Sequence, residues 1–312
     1  MAETIVQEQK KYSETKTTRN SLIEFYRFLF AMWVVYYHSY FLFENHYFNY
    51  GYIAVEFFFI VSGFYILRSI DKLKTDNFFV GLWKLIWGRI KALGLPLIIG
   101  SIFVIWYMFI EGQFSLFGYL WYIPTVLLAF MVMYSLRRLI KNNIVFALVV
   151  IGITVVSYVV LYYPILQGSG VYRALGGVSI GVLISLIPKK IFNVKKINFN
   201  WVITVLLILI TLILVGVHKT NMTIEYLLIF LVMPMLVWFT NTLTFNNKVL
   251  NFLGSLGFGL YAYQCVLRVF EYYITIEQYW LFIMLVTMVL LDKLIVGLYN
   301  KYINKQDNFK TA

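Results

Sequence analysis

Apolar positions in this chain do not alternate or repeat on one face of a helix. They run on in blocks of about twenty, separated by short polar segments. A hydrocarbon core of about 30 Å needs roughly 20 apolar helical residues. Stretches of that kind fall at 22–43, 51–68, 92–110, 117–136, 144–163, 172–188, 200–217, 224–241, 249–270 and 279–299. The pattern predicts an all-α, polytopic integral membrane helix bundle of about ten transmembrane helices. Pro124, Pro234 and the cluster Gly254, Gly257 and Gly259 mark places where a helix could break or re-enter. The division that follows is a polar tail over 1–20, a transmembrane domain over 21–300 and a second tail over 301–312.

Composition strengthens this picture. Of 312 residues, 61% are apolar, 20% aromatic and only 13% charged. A soluble domain has roughly 45–50% apolar and about 25% charged residues, so the excess points to lipid as the solvent. No cleavable signal peptide is visible, because the first apolar run follows a 20-residue polar tail and lacks a small-residue cleavage site. A single cysteine, Cys265, excludes an intrachain disulfide.

The net charge of +12 would suggest a nucleic-acid partner in a soluble protein. Its distribution argues instead for a partner in the bilayer and against nucleic acid. Lysines and arginines crowd the N-terminal tail, every second connection and the C-terminal tail, including Arg68, Lys72, Lys84, Arg89, Lys91, Arg137 and Arg138. The alternate connections carry only Arg173 and Lys219. The asymmetry puts the basic connections and both termini in the cytoplasm. Topology alone explains these charges. A second reading is that Lys84, Arg89 and Lys91 also hold an anionic cytoplasmic ligand such as a nucleotide phosphate.

Ionisable residues inside an apolar span are costly and mark functional candidates. The first span carries Glu24, Arg27 and His38. Glu24 and Arg27, three residues apart, share a face and can pair. Arg27 and His38 lie eleven residues apart, close to three full turns, so they share a stripe and are separated by about 16 Å. The second span runs back from the outside and carries Glu56 at a depth similar to His38, so a His38–Glu56 contact is expected. Ser62 and Gly63 follow deeper, where small residues let helices or a ligand approach. The three histidines, His38, His46 and His218, have no metal-site spacing, and no metal is expected. Asp292 in the last span is unexplained. Arg268 and Glu271 are expected to pair near the outer surface.

These residues carry a resemblance. The segment 23–38, IEFYRFLFAMWVVYYH, with Glu24, Arg27 and His38, resembles the first helix of acyltransferase family 3, membrane proteins that O-acetylate bacterial surface glycans. The segment 51–64, GYIAVEFFFIVSGF, resembles the family's second-helix pattern and supplies Glu56, Ser62 and Gly63. Arg89, Lys91 and Pro96, then Leu120-Trp121-Tyr122, then LGSLGFGLY at 253–261, follow the later elements. Two positions depart from the pattern: Ala92 replaces the second arginine of Arg-x-x-Arg, and Gln264 stands where a histidine is frequent.

The resemblance implies transfer of an acyl group, most often acetyl, from cytoplasmic acyl-CoA to a hydroxyl of an extracytoplasmic or lipid-linked carbohydrate. It makes acetyl-CoA a donor substrate and implies no permanently bound cofactor. His38 would be the general base or a transient acyl carrier, Arg27 would contact the donor or hold the site in shape, and Glu56 would line the catalytic cavity. Glu24, Tyr37, Ser62, Gly63 and Trp121 would line the cavity, although Trp121 also suits an interfacial anchor. Lys84, Arg89 and Lys91 would face the acyl-CoA. The expected location is the bacterial cytoplasmic membrane. Many members carry a soluble domain after the membrane part; the expectation here is a bare membrane module, or one that acts with a separate extracytoplasmic partner protein. The competing reading is a transporter or flippase, which also uses buried charges. The absence of two related halves argues against it.

Overall fold

The computed structural model describes residues 20–38, 49–73, 75–111, 120–162, 170–188, 199–215, 222–243, 245–273 and 283–298. Among these, every regular element is helical. The helices are α1 Ser21–His38, α2 Ala54–Asp71 (entered by a 3-10 turn at Asn49–Ile53), α3 Phe78–Glu111, α4 Tyr122–Leu139 and α5 Asn143–Tyr162. Then come α6 Gly170–Ser185, α7 Phe199–Val215, α8 Met222–Thr242, α9 Lys248–Tyr273 and α10 over 283–298. Five of them, including α2, α3, α4, α5 and α8, are long and apolar enough to cross a membrane. The chain is an all-α, multi-pass membrane protein. Neither terminal tail is among the described residues.

α5 faces lipid over much of its length, with Leu148 62% and Val156 58% exposed. Thr154 of α5 is satisfied within the helix, as lipid requires: its Oγ1 donates to the Val150 carbonyl at 2.9 Å. The same back-bonding holds Thr211 on Leu207 and Ser101 on Leu97, each at 2.7 Å.

Helix starts follow a common rule. Asn20, Asn77, Asn142 and Asn247 precede α1, α3, α5 and α9, and each side-chain oxygen accepts a backbone N–H of the first turn. These odd-numbered helices therefore begin with the same cap. Asn20 also donates to the Thr240 and Leu243 carbonyls, tying the start of α1 to the end of α8.

The predicted break points resolve differently from one another. Pro124 sits in the first turn of α4, where its missing N–H costs nothing. Pro234 is preceded by a π turn over Leu228–Val232, and the Met233 N–H reaches back to the Leu228 carbonyl. The glycine cluster at 254–259 lies in the unbroken α9, with Gly254 and Gly257 facing the backbone of α1 at Glu24 and Arg27.

One boundary is corrected. The third span, expected at 92–110, is present after Gly94, but the basic connection expected before it is itself helical from Phe78. The chain breaks instead at Gly94, whose φ of 54° and ψ of −140° suit only glycine. The segment before it is amphipathic. Phe79, Trp83 and Trp87, spaced by four, form an outward stripe in which the two tryptophans stack with ring centroids 5.6 Å apart. Gly81, Leu85 and Arg89 turn inward.

The pair α2 and α6 packs most extensively. Gly63 of α2 abuts the Val178 carbonyl of α6, and Gly181 of α6 abuts the Ile60 carbonyl of α2. A β-carbon at either place would overlap backbone. Small residues here let the two backbones touch, which is how helices associate when lipid supplies no hydrophobic drive.

Candidate functional site

The polar residues of the first two spans gather at three levels. Nearest the start of α1, the guanidinium of Arg27 lies 3.3 Å from both carboxylate oxygens of Glu24. Glu24 is buried and Arg27 half-buried, so the i,i+3 pair expected from spacing forms. Midway along α2, Ser62 Oγ is 3.2 Å from the Tyr122 hydroxyl of α4.

The third level is near the start of α2. Glu56 is 2% exposed. Its Oε1 accepts a hydrogen bond from Arg173 Nε at 2.7 Å, and its Oε2 lies 3.4 Å from the donating Tyr158 hydroxyl. This corrects the expected pairing of Glu56 with His38: the ion pair of Glu56 is with Arg173 of α6. The same guanidinium donates to the Tyr52 carbonyl at 2.7 Å and lies over the Trp121 ring at 5.2 Å. It is held on three sides by a carboxylate, a carbonyl and an indole face.

Arg173 is also the wall between two cavities. One, of about 410 Å³, is lined by Tyr37, His38, Tyr52, Trp121, Arg173 and Tyr261, among others. The other, of about 290 Å³, is lined by Glu56, Tyr158, Arg173, Glu225 and Tyr226, with Tyr52 again shared. The Tyr52 hydroxyl donates to Glu225 of α8. His38 closes α1 and packs edge-on against Tyr37, with centroids 5.3 Å apart. The structure thus brings His38, Tyr37, Trp121 and, across Arg173, Glu56 to one end of the bundle. Ser62 and the Glu24–Arg27 pair lie progressively deeper.

The three cations proposed for the acyl-CoA face diverge. Arg89 points inward, donating to Ser69 Oγ at 2.7 Å and lying over Phe130 at 5.5 Å. Lys91 folds onto the outward Trp87 ring at 5.5 Å, and Lys84 is exposed. Gly63 serves helix contact. Gln264 and Asp292 are buried at 3% each; the Gln264 side chain has no hydrogen-bond partner among the described residues, and Asp292 faces the Tyr263 hydroxyl. His46, His218 and the side chains of Arg268 and Glu271 lie outside the described residues.

Arg173, Tyr158 and Glu225 were not nominated from the sequence. A lone arginine in the first turn of a span, on the side poor in cations, was the available signal for Arg173.

A buried carboxylate–guanidinium pair and a half-buried histidine line adjoining cavities at one end of a helical bundle. The family model described as an acyltransferase domain matches residues 20–291. The chain belongs to acyltransferase family 3 and is an acyltransferase. No curated protein and no solved structure matches it.

Proposed function

We propose that this acyltransferase moves an acyl group, normally acetyl, from cytoplasmic acyl-CoA to a hydroxyl of an extracytoplasmic or lipid-linked carbohydrate. It would do so in the bacterial cytoplasmic membrane, from a bundle of ten spans with both termini inside. The observation that carries this reading is the cavity of about 410 Å³ in which His38 faces the same space as Tyr37, Trp121 and Arg173. Aromatic rings beside a charged group suit a sugar, which offers apolar faces and hydroxyls together.

In the proposed reaction the acceptor hydroxyl gives its proton to His38 while its oxygen attacks the thioester carbonyl carbon. The carbon–sulfur bond breaks, and coenzyme A leaves as a thiolate that recovers the proton from His38. The products are the O-acyl ester and the free thiol. A positioned base of this kind contributes about 10²–10⁴ in rate. Arg173 and Glu56 hold the wall of the cavity, and Arg27 contacts the donor or keeps the deeper path in shape.

The test is the O-acetyl content of surface glycans in a strain lacking the gene, complemented by the intact chain or by His38→Ala at equal membrane levels. The intact chain should restore acetylation and His38→Ala should not. Full restoration by His38→Ala would remove His38 as the base. A deletion strain with unchanged glycans would remove the carbohydrate acceptor.

A further inference from the structure

A further cavity, of about 480 Å³, lies away from the site above, where the C-terminal ends of α2, α4, α6 and α8 meet the start of α5. This is the end at which the basic connections gather. Arg68, Lys72 and Arg137 line it, with Asp71 as the one carboxylate. Phe64, Leu67 and Trp238 form an apolar wall, and Asn143, Asn241 and Thr242 add neutral polar groups.

Cations at this face serve topology, and helix C-termini attract them. Either role alone would leave their convergence on one recess unexplained. A capping role would set them on the last carbonyls. Arg137 instead donates to Asn143 Oδ1 at 2.8 Å and lies over the Phe146 ring. Its Nε is 3.8 Å from Asp71, a loose contact with a carboxylate that is 59% exposed. Among the described residues, the side chains of Arg68 and Lys72 have no hydrogen bond or ion pair. Three cations against one carboxylate leave the recess positive, and guanidinium groups suit phosphate oxygens. Lys84 and Lys91 do not converge in this way, because both lie on the outward face of α3.

We propose that this cleft is a binding site for a phosphate ester, with Arg68, Lys72 and Arg137 holding the phosphate and the Phe64–Leu67–Trp238 wall taking the apolar part. Two sources offer that chemistry: the nucleotide end of the acyl-CoA donor, which rests on the reading above, and the headgroup of an anionic phospholipid.

The test uses the full chain in nanodiscs of zwitterionic phosphatidylcholine. Radiolabelled acetyl-CoA is the probe, and adenosine 3′,5′-bisphosphate, which carries nucleotide phosphates without the thioester arm, is the competitor. A second preparation, extracted with native lipid, is weighed by native mass spectrometry for bound phosphatidylglycerol. With the donor as source, R68Q/K72Q weakens probe and competitor alike by about tenfold or more and leaves bound lipid unchanged. With lipid as source, the double variant loses the phosphatidylglycerol adducts and leaves the probe unchanged. K141Q/K248Q removes the same charge from exposed positions outside the cleft and should move neither readout. If R68Q/K72Q moves neither readout, or K141Q/K248Q moves them equally, the proposal is overturned. A chain that binds no acetyl-CoA yet keeps cleft-dependent lipid loses the acyl-CoA reading and retains the cleft.

Discussion

Replacing Arg173 with methionine isolates the ion pair at the head of α2. The substitution keeps an unbranched side chain of similar reach and removes the charge. Glu56 is 2% exposed and its partner nitrogen stands 2.7 Å away. At an effective dielectric of about 20, that separation corresponds to roughly 6 kcal/mol of attraction. Desolvation of both ions offsets much of it, so the pair's net worth is far smaller. Breaking a buried pair from one side, however, leaves a carboxylate with only the Tyr158 hydroxyl at 3.4 Å. That loss is about 3–5 kcal/mol. Removing both charges avoids the orphan, so Arg173→Met with Glu56→Gln should recover most of the loss. The assay is thermal unfolding of the purified chain in one detergent, run as a double-mutant cycle over the two singles and the pair. A large positive coupling is expected, with Arg173→Met the least stable of the four. If Arg173→Met unfolds with the intact chain, or if the two losses simply add, the pair does not hold the head of α2 and the geometry drawn for the two cavities is wrong.

The close approach of α2 to α6 makes Gly63→Ala a steric test: the new β-carbon meets the Val178 carbonyl, the helices must part, and the yield of folded protein in detergent should fall sharply. Gly88→Ala, which meets nothing within 4 Å, should fold at least as well as the original in the same assay. Gly94→Ala places a β-carbon in a left-handed conformation at the break in α3, costing about 1–3 kcal/mol. Its thermal midpoint should drop although nothing surrounds the new methyl, and an unchanged midpoint would mean that the break is not where the strain lies.

The all-α membrane character was legible because lipid demands long unbroken apolar runs, and the described helices fall within or overlap those runs. The start of α3 was hidden for a physical reason. Lys84, Gly88, Arg89 and Lys91 read as a polar connection by composition. The stripe Phe79, Trp83 and Trp87 that makes the segment a helix covers only one face. The Glu24–Arg27 pair was legible because both residues sit on one helix, where spacing decides contact. The partner of Glu56 was not, because spacing says nothing of which helix lies alongside. Chain order placed α1 next to α2 and suggested His38. The actual neighbour is α6, brought in by Gly63 and Gly181. Arg173 had been counted with the outer connections, and its depth beside Glu56 depends on that packing.

α2 has the apolar look of a segment that could pack against anything, yet four of its polar residues each meet a different helix. Glu56 takes Arg173 of α6, Ser62 meets Tyr122 of α4, Tyr65 donates to Asn241 of α8 and Ser69 accepts from Arg89 of α3. From Glu56 to Ser69 the helix rises by about 20 Å, so these contacts form a ladder through much of the bilayer. In lipid, an apolar face gains little by choosing one apolar neighbour over another, whereas a hydroxyl or carboxylate without its partner is expensive. The ladder therefore specifies which helix stands where around α2, and the glycines set how close each can come. Ser62, Tyr65 and Ser69 lie on one side of α2 and Glu56 on the other, so the polar contacts wrap the helix between the cavity holding His38 and the end where the basic connections gather. Under the proposed reaction, satisfied polar groups at these depths would let polar substrates enter where an apolar core of the same shape would exclude them.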